Sequence, residues 1–263
     1  MLVVKYGGNA LIHSTDMDPV LEAIGDAFID GDQVVLIHGG GPQIDQALAE
    51  KGLGKERIGG YRVTTEAVLK VVETVLCGQV LRSITNYLLG SEVNAVGITA
   101  GDGGLVVAKK MMPIVEGKKV DIGLVGEVVS VNPELLQHLI AAEFLPVIAP
   151  IALDSDGNSL NINADLVAGA IGGALKADQV VFLTDVDGIY SDWPNKESLI
   201  TKINVEELEK LLPTLADGMI PKVTAILNAV NSGAKSARIV NGTRLKSVLD
   251  AFAGVGGTVV TAA

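Results

Sequence analysis

The stretch VVKYGGNALI, residues 3–12, places a lysine inside a strand-like run and ends that run with two glycines. Its apolar residues favour a buried strand, yet Lys5 lies within it, shortly before a turn at Gly7 and Gly8. A second stretch of this kind, HGGGPQID at 38–45, follows the next strand-like run and opens a helical pattern. In open α/β sheets, ligands bind at the carboxyl ends of the strands. We therefore expect a ligand site where these two glycine turns meet.

Strand and helix patterns alternate along the chain. The predicted strands are LVVKY (2–6), QVVLIH (33–38), NAVGI (94–98), FLPVIA (144–149), QVVFLT (179–184) and ARIV (237–240). The predicted helices span 19–30, 42–51, 65–89, 133–142, 164–176, 205–212, 220–233 and 244–252. Continuous apolar strands separated by helices are typical of a largely parallel sheet that is covered on both faces. The sequence therefore predicts an α/β fold, a three-layer α/β/α sandwich around a largely parallel central sheet.

Two stretches interrupt this alternation. Residues 104–129 hold strand-like runs with glycine and charged residues between them, and 151–162 holds two runs around Asp156 and Gly157. We predict a β-hairpin insertion at each place, and in the second one Asp-Gly is a common hairpin turn. No linker rich in serine or proline divides the chain, so any two lobes must share one continuous sheet.

Composition narrows the function. The 263 residues carry a formal net charge of −11, which disfavours a nucleic-acid partner because such proteins need a basic face. No apolar run is long enough for a transmembrane helix, and no signal segment precedes the first predicted strand. The single Cys77 permits no internal disulfide, which fits a reducing compartment. We expect a cytoplasmic protein that binds neither nucleic acid nor membrane.

The glycine turns predict an anion site. Gly39, Gly40 and Gly41 stand ahead of a helix, whose N-terminus offers free N–H groups and the positive end of its dipole. Tight turns alone would also explain glycines, but two such turns on successive strands, one of them beside Lys5, favour the anion site. The Walker A, Rossmann and protein-kinase motifs are absent from the sequence. Phosphate would therefore be held by another arrangement.

Further polar residues cluster in four motifs: GYRVTTE (60–66), LNINADLVAGAIGG (160–173), LTDVDGIY (183–190) and DGMIPKVTA (217–225). The candidate site residues in them are Arg62, Asn161, Asn163, Asp165, Asp185, Asp187 and Lys222, and Thr64 is a plausible N-cap of the helix that follows it. Each residue alone has a plainer explanation as a surface charge, a helix cap or a turn residue. The three histidines are scattered and no zinc spacing appears, so we expect no metal bound by protein ligands alone.

Eight motifs in order resemble the amino-acid kinase family: KYGGNA, HGGGPQID, GYRVTTE, NAVGITAGDGGL, DIGLVGEVVSVNPELL, LNINAD, LTDVDGIYSDWP and GMIPK. The resemblance runs from residue 2 to the C-terminal GGTVV and implies the carbamate kinase-like fold. The motifs look most like those of members that phosphorylate the γ-carboxylate of N-acetyl-L-glutamate with ATP, a step of arginine biosynthesis. The resemblance therefore implies ATP and N-acetyl-L-glutamate as ligands, with Mg²⁺ arriving on ATP.

The resemblance also implies a role for each site residue. Lys5 and Lys222 would flank the transferred phosphoryl group, and Asp165 would orient both lysines. The backbone N–H groups of Gly8 and Gly40 would help to bind that group. The acylated amino acid would be held by Gly40, Gly41, Arg62 and Asn161, with Arg62 on its α-carboxylate. The nucleotide would lie against Asp185, Val186, Asp187, Gly188, Ile189 and Tyr190.

The same resemblance implies two lobes and an assembly. Residues 1–172 would bind the acylated amino acid and form a dimer, and residues 173–263 would bind ATP. Arginine-inhibited members carry an extra N-terminal helix, which is not expected here, and a His and a Glu near the last helix, where this chain has TRLKSVLDAF with Lys246 and Asp250. We therefore predict a homodimer that does not respond to arginine.

The chain departs from the family pattern in the helix after RVTT. The family often has Lys and Asn there, whereas this chain has Gln79 and Leu81. This difference concerns the substrate side of the site and leaves the reaction class unchanged.

Two other functions stay open at this point. A kinase of lysine biosynthesis, acting on carrier-protein-linked aminoadipate or glutamate, commonly shows Ser-Arg-x-Thr and Asn-Ile-Asp-Gly-Asp. Here Tyr61 precedes Arg62, and the second run reads Asn-Ile-Asn-Ala-Asp. A non-catalytic sensor of nucleotide or amino acid would share the fold. The presence of Lys5, Asp165 and Lys222 together favours an enzyme.

Overall fold

The computed structural model describes residues 1–7, 18–115, 117–215 and 218–262. Its strands are β1 Leu2–Tyr6, β2 Val34–His38, β3 Arg57–Ile58, β4 Tyr61–Arg62, β5 Ala95–Thr99, β6 Val106–Lys110, β7 Ile114–Val115, β8 Lys118–Lys119, β9 Val125–Val131, β10 Leu145–Ala149, β11 Ile151–Leu153, β12 Ser159–Ile162, β13 Gln179–Thr184, β14 Ile189–Tyr190, β15 Leu199–Ile200, β16 Lys202–Asn204, β17 Ser236–Asn241 and β18 Thr258–Thr261. Its α-helices are α1 Pro19–Ile29, α2 Gly41–Glu50, α3 Glu66–Glu73, α4 Leu81–Gly90, α5 Glu134–Ala141, α6 Ala164–Ala174, α7 Val205–Leu211, α8 Ile220–Asn231 and α9 Leu245–Phe252.

The central sheet has eight of the described strands, in the order β16-β18-β17-β13-β1-β2-β10-β5. Neighbouring strands run parallel, except that β17 and β18 are antiparallel. All six predicted strands are present, and the largely parallel sheet is confirmed. Strands β16 and β18 were not predicted, because short strands at or near a sheet edge carry only a weak apolar pattern. The predicted division into lobes stays a prediction, and β1 beside β13 is where its two halves would meet.

Helices cover both faces of this sheet. In β1, Val4 packs into the core that contains residues of α1, α3, α4 and α9, whereas Val3 packs into the core that contains residues of α5, α6, α7 and α8. The predicted three-layer sandwich is therefore confirmed. Successive side chains of a strand point to opposite faces. Lys5 consequently projects to the same face as Val3, toward α6 and α8.

Both predicted hairpin insertions are present, and they close into a small barrel. Its strands lie in the order β11-β12-β9-β6, with β6 antiparallel to β9 and β11 antiparallel to β12. In the turn of the second hairpin Gly157 adopts φ +84°, and Asp154 Oδ1 accepts hydrogen bonds from the backbone N–H groups of Asp156 and Asn158. Strand β10 leads into β11, and β12 leads into α6. The barrel therefore lies at the carboxyl end of β10 and delivers residues 161–165 to that edge of the sheet.

The helix predicted over 65–89 is present but is not uniformly α-helical. A π-helical segment, Thr74–Val80, joins α3 to α4. This segment brings Leu76 against Gly40, where a Cβ atom would lie only 2.7 Å from Leu76 Cδ2. Periodicity predicts the helix but does not show the π turn, because one wider turn hardly changes an apolar pattern.

The predicted N-cap of this helix was wrong by one residue. Thr65 caps α3, since its side chain accepts a hydrogen bond from the backbone N–H of Val68 at 3.3 Å. Thr64 is instead fully buried, and its Oγ1 donates to the carbonyl oxygen of Arg62 at 2.9 Å. Thr64 is also bridged to Gly123, which precedes β9, so its backbone pairs outside the helix.

Helices α6 and α8 pack so closely that glycine is required between them. A Cβ atom at Gly169 would lie 2.3 Å from the carbonyl oxygen of Ala225. We expect Gly169→Ala to lower the free energy of unfolding by about 2 kcal/mol, because the two helices must move apart. Urea denaturation measures this change.

The matched control is Gly78→Ala, at a helical glycine where an added Cβ meets nothing within 4 Å. This variant should be as stable as the wild type or slightly more stable, since alanine favours helix. A Gly169→Ala protein with wild-type stability would contradict the close approach of the two helices.

Candidate functional site

Three of the predicted residues form a buried ion triad. Lys5 Nζ lies 3.0 Å from Asp165 Oδ1, and Lys222 Nζ lies 3.2 Å from Asp165 Oδ2. The side chains of Lys5 and Asp165 are 7% and 6% exposed, and that of Lys222 is 22% exposed. One carboxylate therefore holds two ammonium groups side by side, although the three residues lie far apart in the chain.

Burial and charge oppose each other in this triad. Burial lowers the pKa of Lys5 below its usual range, and the neighbouring Asp165 opposes that shift without cancelling it. Burial acts to raise the pKa of Asp165, but the charges of Lys5 and Lys222 outweigh it and hold this pKa below its usual range. Asp165 is therefore ionised at neutral pH, and its charge favours the ammonium form of Lys5.

Local structure explains how the triad assembles. Asn163 caps α6, because its Oδ1 accepts the backbone N–H of Asp165 at 2.7 Å, and Asp165 consequently lies in the first turn. Lys222 lies in the first turn of α8, and Lys5 projects from β1 between the two helices. The N-termini of α6 and α8 both point at the triad, and their dipoles add positive potential there.

A cavity of about 260 Å³ opens beside the triad. Its polar wall includes the four residues predicted to hold an acylated amino acid, Gly40, Gly41, Arg62 and Asn161, and also Lys5, Asp165 and Lys222. Its apolar wall includes Ile44, Leu76, Val125, Pro150 and Ile162. The cavity therefore offers cationic and amide groups along one side and aliphatic groups along the other, which suits a small acid with an apolar substituent.

Two polar contacts fix the positions of Asn161 and Arg62 in the polar wall. Asn161 Nδ2 donates to Thr64 Oγ1 at 3.3 Å, which connects β12 to the segment that follows β4. Arg62 is 6% exposed, and its Nη2 lies 2.5 Å from Asp45 Oδ1 of α2. Asp45 ends the motif HGGGPQID, but nothing in its residue type or spacing marked it as a partner of Arg62. Sequence reasoning therefore missed Asp45.

A second, larger cavity of about 900 Å³ lies on the other side of the triad. It is lined by five of the six residues predicted to bind nucleotide, Asp185, Val186, Gly188, Ile189 and Tyr190. Asp187 is not among the lining residues, because its Oδ1 accepts hydrogen bonds from Asn241 Nδ2 at 3.0 Å and Arg244 Nη1 at 3.1 Å. Trp193 also lines the cavity, is 58% exposed and packs edge-on against Tyr190.

The two cavities meet at a cationic junction. Lys5, Gly41, Arg57 and Lys222 line both of them. Sequence reasoning missed Arg57, which lies in a short β-hairpin opposite Arg62 and carries no motif of its own. Two ligands that fill the two cavities would therefore face each other across three positive side chains and one helix N-terminus.

Some predicted residues lie elsewhere. Gly8 falls outside the described residues. Leu81 is buried in the core, and Gln79 is exposed. Neither Leu81 nor Gln79 lines either of the two cavities.

The described residues show no grouping of three or more His, Cys, Asp or Glu side chains that could hold a metal ion. Within the same ranges, the helices are too short or too polar to span a membrane.

His38 is a buried polar group next to the glycine turn. Its Nδ1 lies 2.8 Å from the carbonyl oxygen of Gly39, and because a carbonyl oxygen only accepts, Nδ1 carries the proton. Its Nε2 is buried and has no hydrogen-bond partner among the described residues. Burial lowers the pKa of His38 to about 4, against the opposing effect of its contact with Gly39. His38 is therefore neutral in the folded protein at neutral pH.

This neutral histidine predicts a pH dependence of stability. As pH falls below 6.5, the ordinary pKa of histidine, the unfolded chain takes up a proton that the folded protein resists until about pH 4. Stability should therefore decrease over this range, by about 2 kcal/mol by pH 5 from this group alone. We expect the decrease between neutral pH and pH 5 to be smaller by about that amount in His38→Asn, measured by urea denaturation.

The exposed His138 provides the matched control, changed to asparagine in the same way. An equal pH dependence in wild type and His38→Asn would show that His38 does not resist protonation in the folded protein.

The sequence of this chain matches one protein family and relatives within it. The model of the amino acid kinase family matches residues 1–241. The acetylglutamate kinase of Saccharopolyspora erythraea is 45% identical over 264 aligned residues, which cover 99% of this chain and 87% of that protein. The acetylglutamate kinase of Rhodococcus jostii is 46% identical, with coverage of 99% and 85%.

Solved structures agree on the fold. The smu.665 protein of Streptococcus mutans is 26% identical with a TM-score of 0.80, over 100% of this chain and 98% of that one. The N-acetylglutamate synthase of Neisseria gonorrhoeae, complexed with coenzyme A and N-acetyl-glutamate, is 24% identical with a TM-score of 0.84, over 100% of this chain and 59% of that one. A carbamate kinase of Giardia lamblia bound to AMP-PNP is 18% identical with a TM-score of 0.68, over 100% and 98%.

Proposed function

Since the chain belongs to the amino acid kinase family, we propose that it transfers the γ-phosphoryl group of ATP to the γ-carboxylate of N-acetyl-L-glutamate, giving ADP and N-acetylglutamyl 5-phosphate. The observation that carries this proposal is the meeting of two cavities at Lys5 and Lys222, the two lysines that pair with Asp165. The smaller cavity has the size and polarity for the acylated amino acid, and the larger one has room for a nucleotide. This reaction would place the protein in arginine biosynthesis.

The reaction brings one anion against another. Phosphoryl transfer asks the protein mainly to position the reactants and to stabilise charge. Lysine is a compact point charge that suits phosphate oxygens, and Lys5 and Lys222 stand where the two cavities meet. Asp165 fixes the spacing of the two ammonium groups and stays clear of the transfer itself. No general base is needed, because the attacking carboxylate is already ionised.

The acceptor is oriented by groups of the smaller cavity. Arg62 can donate a charge-assisted hydrogen bond to the α-carboxylate, and Asn161 can hydrogen bond the acetamido group. The helix N-terminus at Gly40 and Gly41 can donate backbone N–H groups to the anion. With the α-carboxylate at Arg62, the γ-carboxylate would extend toward Lys5.

Mg²⁺ is part of this proposal as a companion of ATP. Asp185 lines the larger cavity and would stand beside an ion that arrives on ATP. When bound, Mg²⁺ neutralises phosphate charge. The residues Val186, Gly188, Ile189 and Tyr190 of the larger cavity would contact the nucleotide.

We further propose a cytoplasmic homodimer whose activity does not respond to arginine. The last helix supports the second point, because Lys246 and Asp250 form an exposed ion pair of 2.6 Å on α9 in place of the His and Glu typical of arginine-inhibited members. Light scattering would test the homodimer, and turnover measured with and without arginine would test the response to arginine.

An acyl-phosphate trap tests the reaction. The purified protein is incubated with ATP, Mg²⁺ and hydroxylamine, and N-acetyl-L-glutamate is the only acceptor. We expect hydroxamate that depends on N-acetyl-L-glutamate. Absence of hydroxamate would overturn the proposed reaction. In that case tryptophan fluorescence shows whether ATP still binds, as a non-catalytic sensor would require. Trp193 is the one tryptophan of the sequence, and it lines the larger cavity.

The same assay tests the two lysines. Lys5→Ala and Lys222→Ala should each lower kcat about 10²- to 10³-fold, by analogy with the loss of one donor that stabilises a developing charge. Lys246→Ala removes an exposed, ion-paired lysine of α9 and serves as the matched control. Near-normal turnover in either site variant would refute its role in the transfer.

A further inference from the structure

Asp45, a lining residue of the larger cavity, forms an ion pair with Arg62. The two side chains meet at 2.5 Å, between Asp45 Oδ1 and Arg62 Nη2. Arg62 lines the smaller cavity, whereas Asp45 lines the larger one. The guanidinium group therefore stands as a partition between the cavities, with a carboxylate fixed to one edge.

The other edge of this guanidinium group is unused. Arg62 Nη1 is buried and has no hydrogen-bond partner among the described residues. A buried donor without an acceptor is costly, and more so when the group is charged. Arg62 lines the smaller cavity, so an acceptor bound there that reaches Nη1 would remove this cost.

The charges of Arg57, Arg62 and Asp45 sum to one positive charge. Arg57 and Arg62 lie directly opposite each other in the β3–β4 hairpin, where like charges repel. Asp45 lies between them, since its Oδ2 is also 3.4 Å from Arg57 Nη2. Two arginines and one carboxylate leave a single net positive charge, which matches one incoming carboxylate.

We propose that Asp45 is a positioning residue that holds Arg62 by Nη2 and thereby directs Nη1 at the α-carboxylate of the acceptor. Asp45 itself does not touch the acceptor. It determines how strongly the site prefers an α-carboxylate to a neutral group at that place. This inference rests on the proposed function, and in particular on the α-carboxylate lying at Arg62.

The test compares two acceptors in the hydroxamate assay. N-acetyl-L-glutamate carries an α-carboxylate, and N-acetyl-L-isoglutamine carries an α-carboxamide with the same reactive γ-carboxylate. In Asp45→Ala we expect the KM for N-acetyl-L-glutamate to rise at least about tenfold, with kcat within about threefold of wild type. The preference in kcat/KM for the acid over the amide should fall by about the same factor, which corresponds to about 1.4 kcal/mol.

Two controls separate this role from a merely structural one. Glu50→Ala removes another carboxylate of α2, one that pairs with Gln46 and lies outside both cavities, and it should leave the preference unchanged. In an Arg62→Ala background, Asp45→Ala should have little further effect, because residues that act through one another are not additive. Should Asp45→Ala fail to fold, Asp45→Asn carries the comparison, since it keeps an oxygen for Nη2 but loses the charge.

The outcomes are distinct. A wild-type protein that forms no hydroxamate overturns the proposed function. An active wild type whose Asp45→Ala variant keeps both its KM and its preference for the acid overturns the role of Asp45 alone. An equal loss with both acceptors would assign Asp45 to the stability of the hairpin and would also contradict the inference.

Discussion

A carboxylate shared by two lysines is the constraint on which the rest of this molecule depends. Two ammonium groups repel each other, and one of them, Lys5, is almost fully buried, so both need a fixed counter-ion nearby. Asp165 supplies it, and the three elements that carry these residues must therefore meet at one point. Strand β1, the start of α6 and the start of α8 do so because α6 and α8 pack at glycine distance on one face of the sheet. The close packing of α6 and α8 therefore brings the site residues together.

Around this point the molecule forms two cavities that meet at the lysines. The barrel and the β3–β4 hairpin wall off a small cavity with cationic and aliphatic sides, while the segment after β13 borders a larger one. Each wall is fastened by a polar contact over a long sequence distance, as between Asn161 and Thr64 or between Asp187 and Arg244. Positive charge concentrates at the junction, although the chain as a whole is strongly acidic. A local field of this sign suits a reaction between anions.

Much of this could be predicted from the sequence. The apolar runs are long enough to predict six of the eight strands in the central sheet, and the placement of Lys5, Arg62, Asp165 and Lys222 at strand ends and helix starts predicts a common site. What periodicity could not show are features decided by contacts between distant segments. The π turn at Thr74–Val80, the capping of α3 by Thr65 and the pairing of Asp187 with Arg244 all depend on neighbours that sequence distance hides.

The sequence by itself determined the α/β fold, the family and the types of residue at the site, because apolar periodicity, glycine turns and motif order are local properties of the chain. Only the tertiary structure decided which charges become partners. Asp45 carries no signal that distinguishes it from any acidic residue on a helix, and Arg57 has none that distinguishes it from a surface cation. Their positions between the two cavities follow from how α2 packs beside a short hairpin. Ion pairing depends on distance and burial in three dimensions, and neither quantity is written in residue order.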